Sequence, residues 1–320
     1  MNKTQVRNSF LLLLTATIWG TAFVAQRVGM DYVEPFTFTF ARSMIGGIVL
    51  IPCIWFLRWL KKREDKADVG VSNVATKNAA GKVPSTDAKT FITKSEWIGG
   101  ICCGMALFAA SNFQQIGISH TTVGKAGFIT ALYVVIVPIM GLFFKKKVPA
   151  IVWLCVVLSV VGLYLLCMTE GSFALAYGDF LVLICAIIFS IHIMVIDYFS
   201  PKGDGVIMSC IQFFVCGLLS AIVMLFVETP SVENILAAKM PILYAGVLSS
   251  GVAYTLQIVG QKDMNPTVAS LILCLESVVS ALAGWIILNQ ALTTRELFGC
   301  VLMFVAIVLA QVPMPGKRKK

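Results

Sequence analysis

Long apolar runs separated by short polar stretches dominate the sequence. Ten of these runs are each close to the roughly 20 residues that an α-helix needs to cross a bilayer. We number them segments 1 to 10 in chain order: residues 8–28, 35–57, 96–118, 121–144, 148–168, 178–199, 205–227, 240–261, 266–288 and 295–313. The pattern predicts an all-α membrane protein with ten transmembrane helices.

Composition agrees with this pattern, because 58% of the residues are hydrophobic and only 13% are charged. A soluble domain is about half apolar and about a quarter charged. The ten cysteines lie almost entirely inside apolar segments and form no C-x-x-C pair. We interpret them as small buried side chains and expect neither a metal site nor a cofactor.

The positive charges alternate between the two sides of the membrane. With a cytoplasmic N-terminus, 20 cations fall in cytoplasmic connections and tails and 3 fall on the opposite side. The positive-inside rule therefore predicts a multi-pass protein with both termini in the cytoplasm, and we expect it in the plasma (inner) membrane. Cations beside an anionic leaflet also account for the net charge of +9, so we expect no nucleic-acid partner. The one long polar connection, residues 61–96, is interpreted as a flexible cytoplasmic linker.

The two halves of the sequence match each other. The first repeat covers residues 8–168, including a cytoplasmic loop at 58–95, and the second covers residues 177–313. The aligned positions are Arg42 with Gln212 and Gly47 with Gly217 at an offset of 170, and Gln114 with Gln257, Gly117 with Gly260, and Leu132 with Leu275 at an offset of 143. Each repeat holds five segments, an odd number, so the second repeat is inverted relative to the first. Inverted repeats with a substrate site between them are typical of secondary transporters.

Several short stretches, spread over both repeats, carry a family resemblance. They are Trp19-Gly20, Arg42, Lys125-Ala-Gly-Phe-Ile-Thr-Ala-Leu-Tyr133 with Pro138 and Gly141, Tyr244 through Gln257, and Leu275-Glu276 through Gly284-Trp285. In order and spacing they resemble EamA-type members of the drug/metabolite transporter superfamily. Where that family often has a Gly-Glu pair after segment 9, this chain has Asn289-Gln290. The resemblance implies two inverted five-helix repeats, a cavity lined mainly by segments 1, 3, 4, 6, 8 and 9, and often export of amino acids or related compounds.

Charged and aligned side chains are the first candidates for a substrate pathway. Glu276 lies about ten residues from Pro266, which places it about 15 Å into segment 9, near the midplane. It could accept a hydrogen bond from a substrate amine or carry a proton; alternatively, a partner such as Gln257 or a cation neutralises it. Tyr133 aligns with Glu276 and is therefore a second candidate. Lys125 either reaches the interface or attracts a substrate carboxylate at the outer mouth.

A set of neutral polar side chains joins these candidates. Gln114 and Gln257 occupy aligned positions, and Ser111 and Tyr254 each precede one of them by three residues, on the same helical face. In inverted repeats both faces would approach the central axis. The alternative is hydrogen bonding between helices.

Three further side chains have both a functional and a structural interpretation. Trp19 lies near mid-segment and either lines the cavity or packs in the core. His192 is either a proton relay or a buried hydrogen-bonding residue. Arg42, in segment 2, is interpreted as a structural charge with a partner, because the resemblance keeps that segment less central.

Together these features predict a secondary transporter that moves a small organic metabolite across the bilayer by alternating access, with export of an amino acid or a related compound favoured. The sequence lacks G-x-x-x-x-G-K-[ST], so energy would come from a gradient, with protons as a candidate partner. It also lacks H-E-x-x-H and G-x-S-x-G, so we expect no enzyme and no catalytic residues. A broad drug exporter or a nucleotide-sugar carrier is the alternative, and the protein would be a monomer or a homodimer.

Overall fold

The structure is a computed structural model that describes residues 3–75, 92–121, 123–145, 148–167, 176–288 and 293–311. Over those ranges all regular structure is helical. Seven helices are long and apolar enough to cross a membrane: Thr4–Gly29, Pro35–Trp59, Lys94–His120, Tyr177–Lys202, Gly205–Val227, Lys239–Gln261 and Pro266–Ile287. Three shorter apolar helices, Ile129–Phe143, Ala150–Gly162 and Leu297–Leu309, fall in segments 4, 5 and 10. Each of the ten apolar segments is therefore helical.

Seven segments are single helices and three are interrupted. Segments 1, 2, 3, 5, 6, 7 and 10 form Lys3–Gly29, Pro35–Ala75, Lys94–His120, Ala150–Cys167, Tyr177–Phe199, Gly205–Val227 and Thr294–Gln311. Segment 4 consists of Val123–Ala131 and Tyr133–Phe143, and segment 9 of Pro266–Leu273 and Glu276–Leu288. Segment 8 runs through Lys239–Leu243, a π-helix at Tyr244–Tyr254, and Thr255–Gln261. A short helix, Val232–Ala237, precedes segment 8.

Local sequence signals explain several helix starts. Thr93 and Glu96 form a reciprocal capping box at the start of segment 3, in which the Thr93 N–H donates to Glu96 Oε2 at 2.7 Å. Asp204 and Asn265 accept backbone N–H bonds at the starts of segments 7 and 9. These side chains satisfy donors that the first helical turn leaves unpaired, so they fix where the segments enter the bundle.

The helix of segment 2 extends beyond its apolar run, as far as Ala75. The prediction of a flexible linker over residues 61–96 was therefore wrong for residues 61–75, and also for residues 94–96, which belong to segment 3. Lys, Arg, Glu and Ala are good helix formers, and extending an existing helix requires no new nucleus. A search for apolar periodicity does not detect such a polar extension. Residues 76–91 lie outside the described ranges.

Packing between segments encloses a central space. Segment 1 packs against segments 8 and 9, and segment 6 packs against segments 3 and 4. Segments 2 and 7 pair with each other, as do segments 5 and 10. The largest apolar core includes buried Leu12, Val134, Leu271 and Met303, from segments 1, 4, 9 and 10. This arrangement brings the interrupted segments 4, 8 and 9 around one interior cavity.

Candidate functional site

The interior cavity lies between the two halves of the chain. Its lining residues are Trp19, Phe23, Gln26, Arg42, Gln114, Thr130, Tyr133, Phe189, Ile193, Ser249, Tyr254, Gln257, Leu273 and Glu276. They come from segments 1, 2, 3, 4, 6, 8 and 9. The cavity volume is about 30 Å³, far below the roughly 300–1,000 Å³ of a typical ligand pocket. A metabolite therefore fits only when the surrounding helices separate.

Glu276 and Tyr133 contact each other directly at this cavity. The Tyr133 hydroxyl donates a hydrogen bond to Glu276 Oε1 at 3.0 Å. Both side chains are buried, with 3% of Tyr133 and 4% of Glu276 exposed. Among the described side chains, Tyr133 is thus the hydrogen-bond partner of the carboxylate. These two residues align when the halves of the sequence are matched, and their side chains meet here.

Both residues begin the second helix of an interrupted segment. Tyr133 follows a turn at Leu132, and Glu276 follows a turn at Cys274 and Leu275. At each break, the backbone N–H of the leucine bonds to a carbonyl three residues earlier, at 3.2 Å. Three-residue bonds of this kind tighten a helix locally. Ile129–Phe143 and Pro266–Ile287 nevertheless continue as single apolar helices through these turns, beside the cavity.

Arg42 also faces the cavity, although its segment was expected to be less central. Its Nη1 donates to Gln26 Oε1 at 3.3 Å, and 4% of the residue is exposed. Arg42 and Glu276 line one cavity, and neither has an ion-pair partner within 4.0 Å among the described residues.

The two aligned glutamines lie on the cavity wall. Gln114 Nε2 donates to Thr130 Oγ1 at 3.2 Å. Gln257 Oε1 is buried and has no hydrogen-bond partner in the part of the chain that the structure describes. Unpaired buried carbonyl oxygens are uncommon, and each needs an explanation. Gln257 is therefore an acceptor available to a ligand.

Aromatic side chains complete the wall. The rings of Trp19 and Tyr254 lie 4.5 Å apart, centre to centre. The Trp19 indole Nε1 donates to the Ser249 carbonyl at 3.4 Å, so this bond joins segment 1 to the π-helix of segment 8. The cavity thus combines apolar surfaces with a few polar groups, as small-molecule sites do.

Three predicted residues are not assigned to this wall. His192 is fully buried behind Tyr254, with ring centres 6.0 Å apart, and its Nε2 contacts Gln212 Oε1 at 3.1 Å. Ser111 is buried, and its hydroxyl has no partner among the described residues. The backbone of Lys125 belongs to the first helix of segment 4, but its side chain lies outside the described part of the structure.

Several lining residues were missed from the sequence. Phe23 and Gln26 lie four and seven residues after Trp19, and this spacing marks one helical face. Thr130, three residues before Tyr133, could have been found in the same way. Ser249 could not, because it lies five residues before Tyr254, a spacing that shares a face only in a π-helix.

The arrangement supplies hydrogen bonds, opposite charges and aromatic surfaces to a small polar ligand. Among the described residues there is no group of three His, Cys, Asp or Glu side chains placed to hold a metal ion.

Comparison with known proteins agrees with this architecture. A solved crystal structure of a protein that is 18% identical superposes with a TM-score of 0.70, over 95% of this chain and 96% of that one. An uncharacterized transporter of Archaeoglobus fulgidus is 28% identical over 307 residues, covering 94% of this chain and 84% of the relative. One from Methanothermobacter thermautotrophicus is 22% identical over 310 residues, covering 94% and 85%. Residues 7–74 and 176–311, more than half of the chain, match the EamA-like transporter family. The resemblance inferred from the sequence is thus confirmed: the chain belongs to the EamA-like transporter family and is a membrane transporter, not an enzyme.

Proposed function

We propose that the protein is a secondary transporter that exports a small organic metabolite, an amino acid or a related compound, across the plasma (inner) membrane by alternating access. The observation that carries this proposal is the buried Glu276–Tyr133 hydrogen bond, formed at aligned helix breaks beside the central cavity. A buried carboxylate in a membrane span is expensive, so its presence favours a functional role.

Reciprocal contacts support two inverted five-helix repeats, residues 8–168 and 177–313. Gly47 packs so closely on segment 7 that an added Cβ would lie 3.1 Å from the Phe214 ring. Gly217 packs on segment 2, where an added Cβ would lie 2.8 Å from Met44 Sδ. The offset of 170 places Gly47 on Gly217 and Met44 on Phe214, so each contact is the repeat equivalent of the other. A two-fold relation between the repeats requires such an exchange.

A second reciprocal pair links the cavity segments themselves. An added Cβ at Gly117 of segment 3 would lie 2.5 Å from Val182 of segment 6. An added Cβ at Gly260 of segment 8 would lie 3.1 Å from Leu12 of segment 1. The offset of 143 places Gly117 on Gly260, and the offset of 170 places Leu12 on Val182. Each contact is therefore again the repeat equivalent of the other. Five segments in each inverted repeat give ten spans in total, with both termini on the cytoplasmic side.

The π-helix marks the point where the repeats diverge. An added Cβ at Gly104 would lie 2.6 Å from Val215, and one at Gly246 would lie 2.7 Å from Ile45. Ile45 and Val215 align at an offset of 170 residues. Gly104 and Gly246, however, align at an offset of 142 residues rather than 143. Segment 8 therefore carries one extra residue, which the π-helix Tyr244–Tyr254 absorbs. The symmetry is locally broken at the cavity wall.

Inverted repeats suit alternating access, because the same contacts can form on either side of the membrane as one part rocks against the other. The small cavity corresponds to a state closed around its centre. Opening requires the helices around Glu276 and Tyr133 to separate. Protons are the candidate coupling ion, with Glu276 as carrier. If they are coupled, a pH gradient alone drives accumulation in proteoliposomes, whereas equal flux with and without the gradient indicates facilitated diffusion.

The test begins with a thermal-shift screen of the purified protein against amino acids, nucleosides and sugars, because a ligand that binds only the folded state raises its apparent stability. Uptake of the strongest ligand is then measured in proteoliposomes and in protein-free liposomes. We expect saturable, protein-dependent uptake of an amino acid or a related compound. Protein-dependent uptake of none of these compounds would contradict the transport proposal.

A further inference from the structure

We propose that Arg42 and Glu276 bind opposite ends of a zwitterionic substrate, the carboxylate at Arg42 and the ammonium group at Glu276. The inference rests on the proposed transport function. It extends that function by making Arg42, expected from the sequence to be a structural charge, a residue that selects the substrate.

The first argument is that both charges are buried beside the same cavity. Neither has an ion-pair partner within 4.0 Å among the described residues, and each is 4% exposed. Removing a charge from water costs several kcal/mol unless another charge compensates for it. A zwitterion between the two groups would compensate both charges at once, without adding net charge to the site.

The second argument comes from the repeat. Arg42 aligns with Gln212, and Glu276 aligns with Tyr133, so each charge replaces a neutral residue at the equivalent place in the other half. Both neutral counterparts are buried; Gln212 contacts His192, and Tyr133 donates to Glu276 itself. Each half of the fold therefore accommodates a neutral residue at one of the two positions. A requirement of packing alone does not explain why one half carries the cation and the other the carboxylate.

The third argument is the supply of unused donors and acceptors. Arg42 has five N–H donors, and the described residues engage it through one bond, to Gln26 Oε1. From the described residues Glu276 accepts one bond, from Tyr133, at one of its two oxygens. Gln257 adds, on the same cavity wall, a buried oxygen that has no partner among the described residues. Arginine is suited to a carboxylate, while oxygen acceptors are suited to an ammonium group.

An alternative role for the pair is mutual compensation through water in the cavity, with no preference for charged ends in the ligand. The two roles differ in one measurable respect. Substrate contact makes the effect of each substitution depend on one end of the ligand. If the two charges only compensate each other, each substitution weakens the binding of every ligand by a similar factor, whichever end of the ligand is charged.

The experiment measures dissociation constants of the purified full-length protein by calorimetry. Three probes are used. The first is the proteinogenic amino acid that gives the largest thermal shift. The others are its amide, which lacks the carboxylate charge, and its N-acetyl derivative, which lacks the amine charge. The variants are Arg42→Gln and Glu276→Gln. Arg27→Gln serves as the matched control, because it removes an exposed arginine outside the cavity. Arg42→Gln introduces the residue found at the equivalent position, Gln212, so we expect this variant to fold, and gel filtration checks this. Arg42→Lys is the second variant.

We expect wild-type protein to bind the amide and the N-acetyl derivative at least about tenfold more weakly than the amino acid, as for loss of a charged hydrogen bond. Arg42→Gln should bind the amino acid about tenfold more weakly and no longer distinguish it from the amide, while still rejecting the N-acetyl derivative. Glu276→Gln should show the reverse pattern, and Arg27→Gln should match wild type.

Equal losses for the amino acid and its amide in Arg42→Gln, or no loss, would overturn the assignment. Binding of no amino acid, together with protein-dependent uptake of a nucleoside or sugar, would also overturn it, and would leave the protein a transporter. Absence of uptake for every compound would instead remove the transport proposal itself.

Discussion

Gly20 offers a sharp test of how closely segment 1 approaches the helix that carries Glu276. A Cβ at Gly20 would lie 2.5 Å from Val279 Cβ and 2.6 Å from the Glu276 carbonyl oxygen. Carbon atoms pack at about 3.5–4.0 Å, so Gly20→Ala requires the two helices to separate by about 1 Å. Because the contact includes backbone, rotation of a side chain cannot relieve it.

Two opposing effects set the size of the change. Overpacking costs about 1–3 kcal/mol. Alanine is better than glycine inside a helix by about 1 kcal/mol, which offsets part of that cost. We therefore expect Gly20→Ala to destabilise the protein by up to about 2 kcal/mol and to lower its thermal midpoint by up to a few degrees. Uptake should fall as well, because the shift displaces Glu276.

The control is Gly127→Ala, in segment 4 beside the same segment 9. Among the described residues, an added Cβ there meets Ser277 Oγ alone, at 3.8 Å, an ordinary contact. This variant gains helix propensity without a clash, so its thermal midpoint should equal or exceed that of wild type. Thermal unfolding of both variants in the same detergent provides the comparison. If Gly20→Ala proves as stable as Gly127→Ala, the described approach of segments 1 and 9 is wrong.

Two more predictions concern individual hydrogen bonds. Tyr133→Phe removes the donor to Glu276 while keeping the ring, so the free energy of unfolding should fall by about 1–3 kcal/mol. In a double-mutant cycle of thermal stability, this loss should be non-additive with that of Glu276→Gln. Strict additivity would argue against the hydrogen bond. Glu228 accepts bonds from the Phe36 and Thr37 N–H groups and from the Thr37 hydroxyl at 2.7–2.8 Å, at the start of segment 2. Glu228→Gln should therefore lower stability by about 1 kcal/mol in thermal unfolding, and an unchanged midpoint would refute this role.

Much of the architecture could be predicted from the sequence, because hydrophobic length and repeat alignment are both strong signals in membrane proteins. All ten apolar segments are helical in the part of the chain that the structure describes. Alignment of the halves also singled out Tyr133 beside Glu276, and the two side chains are bonded. The aligned pair Gln114 and Gln257 likewise lies on the cavity wall.

Other features could not be predicted, because they depend on how helices pack. Hydrophobic periodicity continues through the breaks before Tyr133 and Glu276, so it does not reveal them. The π-helix of segment 8 changes which residues share a face, which hid Ser249. The orientation of Arg42 depends on how segment 2 lies against its neighbours. Polar residues beyond segment 2 extend its helix without any apolar signal.

The most direct test of the central claim is uptake by Glu276→Gln protein in proteoliposomes, using the strongest ligand of the wild-type screen. Glu233→Gln is the matched control, because it makes the same chemical change at an exposed carboxylate. We predict that Glu276→Gln reconstitutes in a normal amount but transports at least about tenfold more slowly, while Glu233→Gln matches wild type. Wild-type uptake by Glu276→Gln would contradict the claim that this carboxylate is part of the transport pathway.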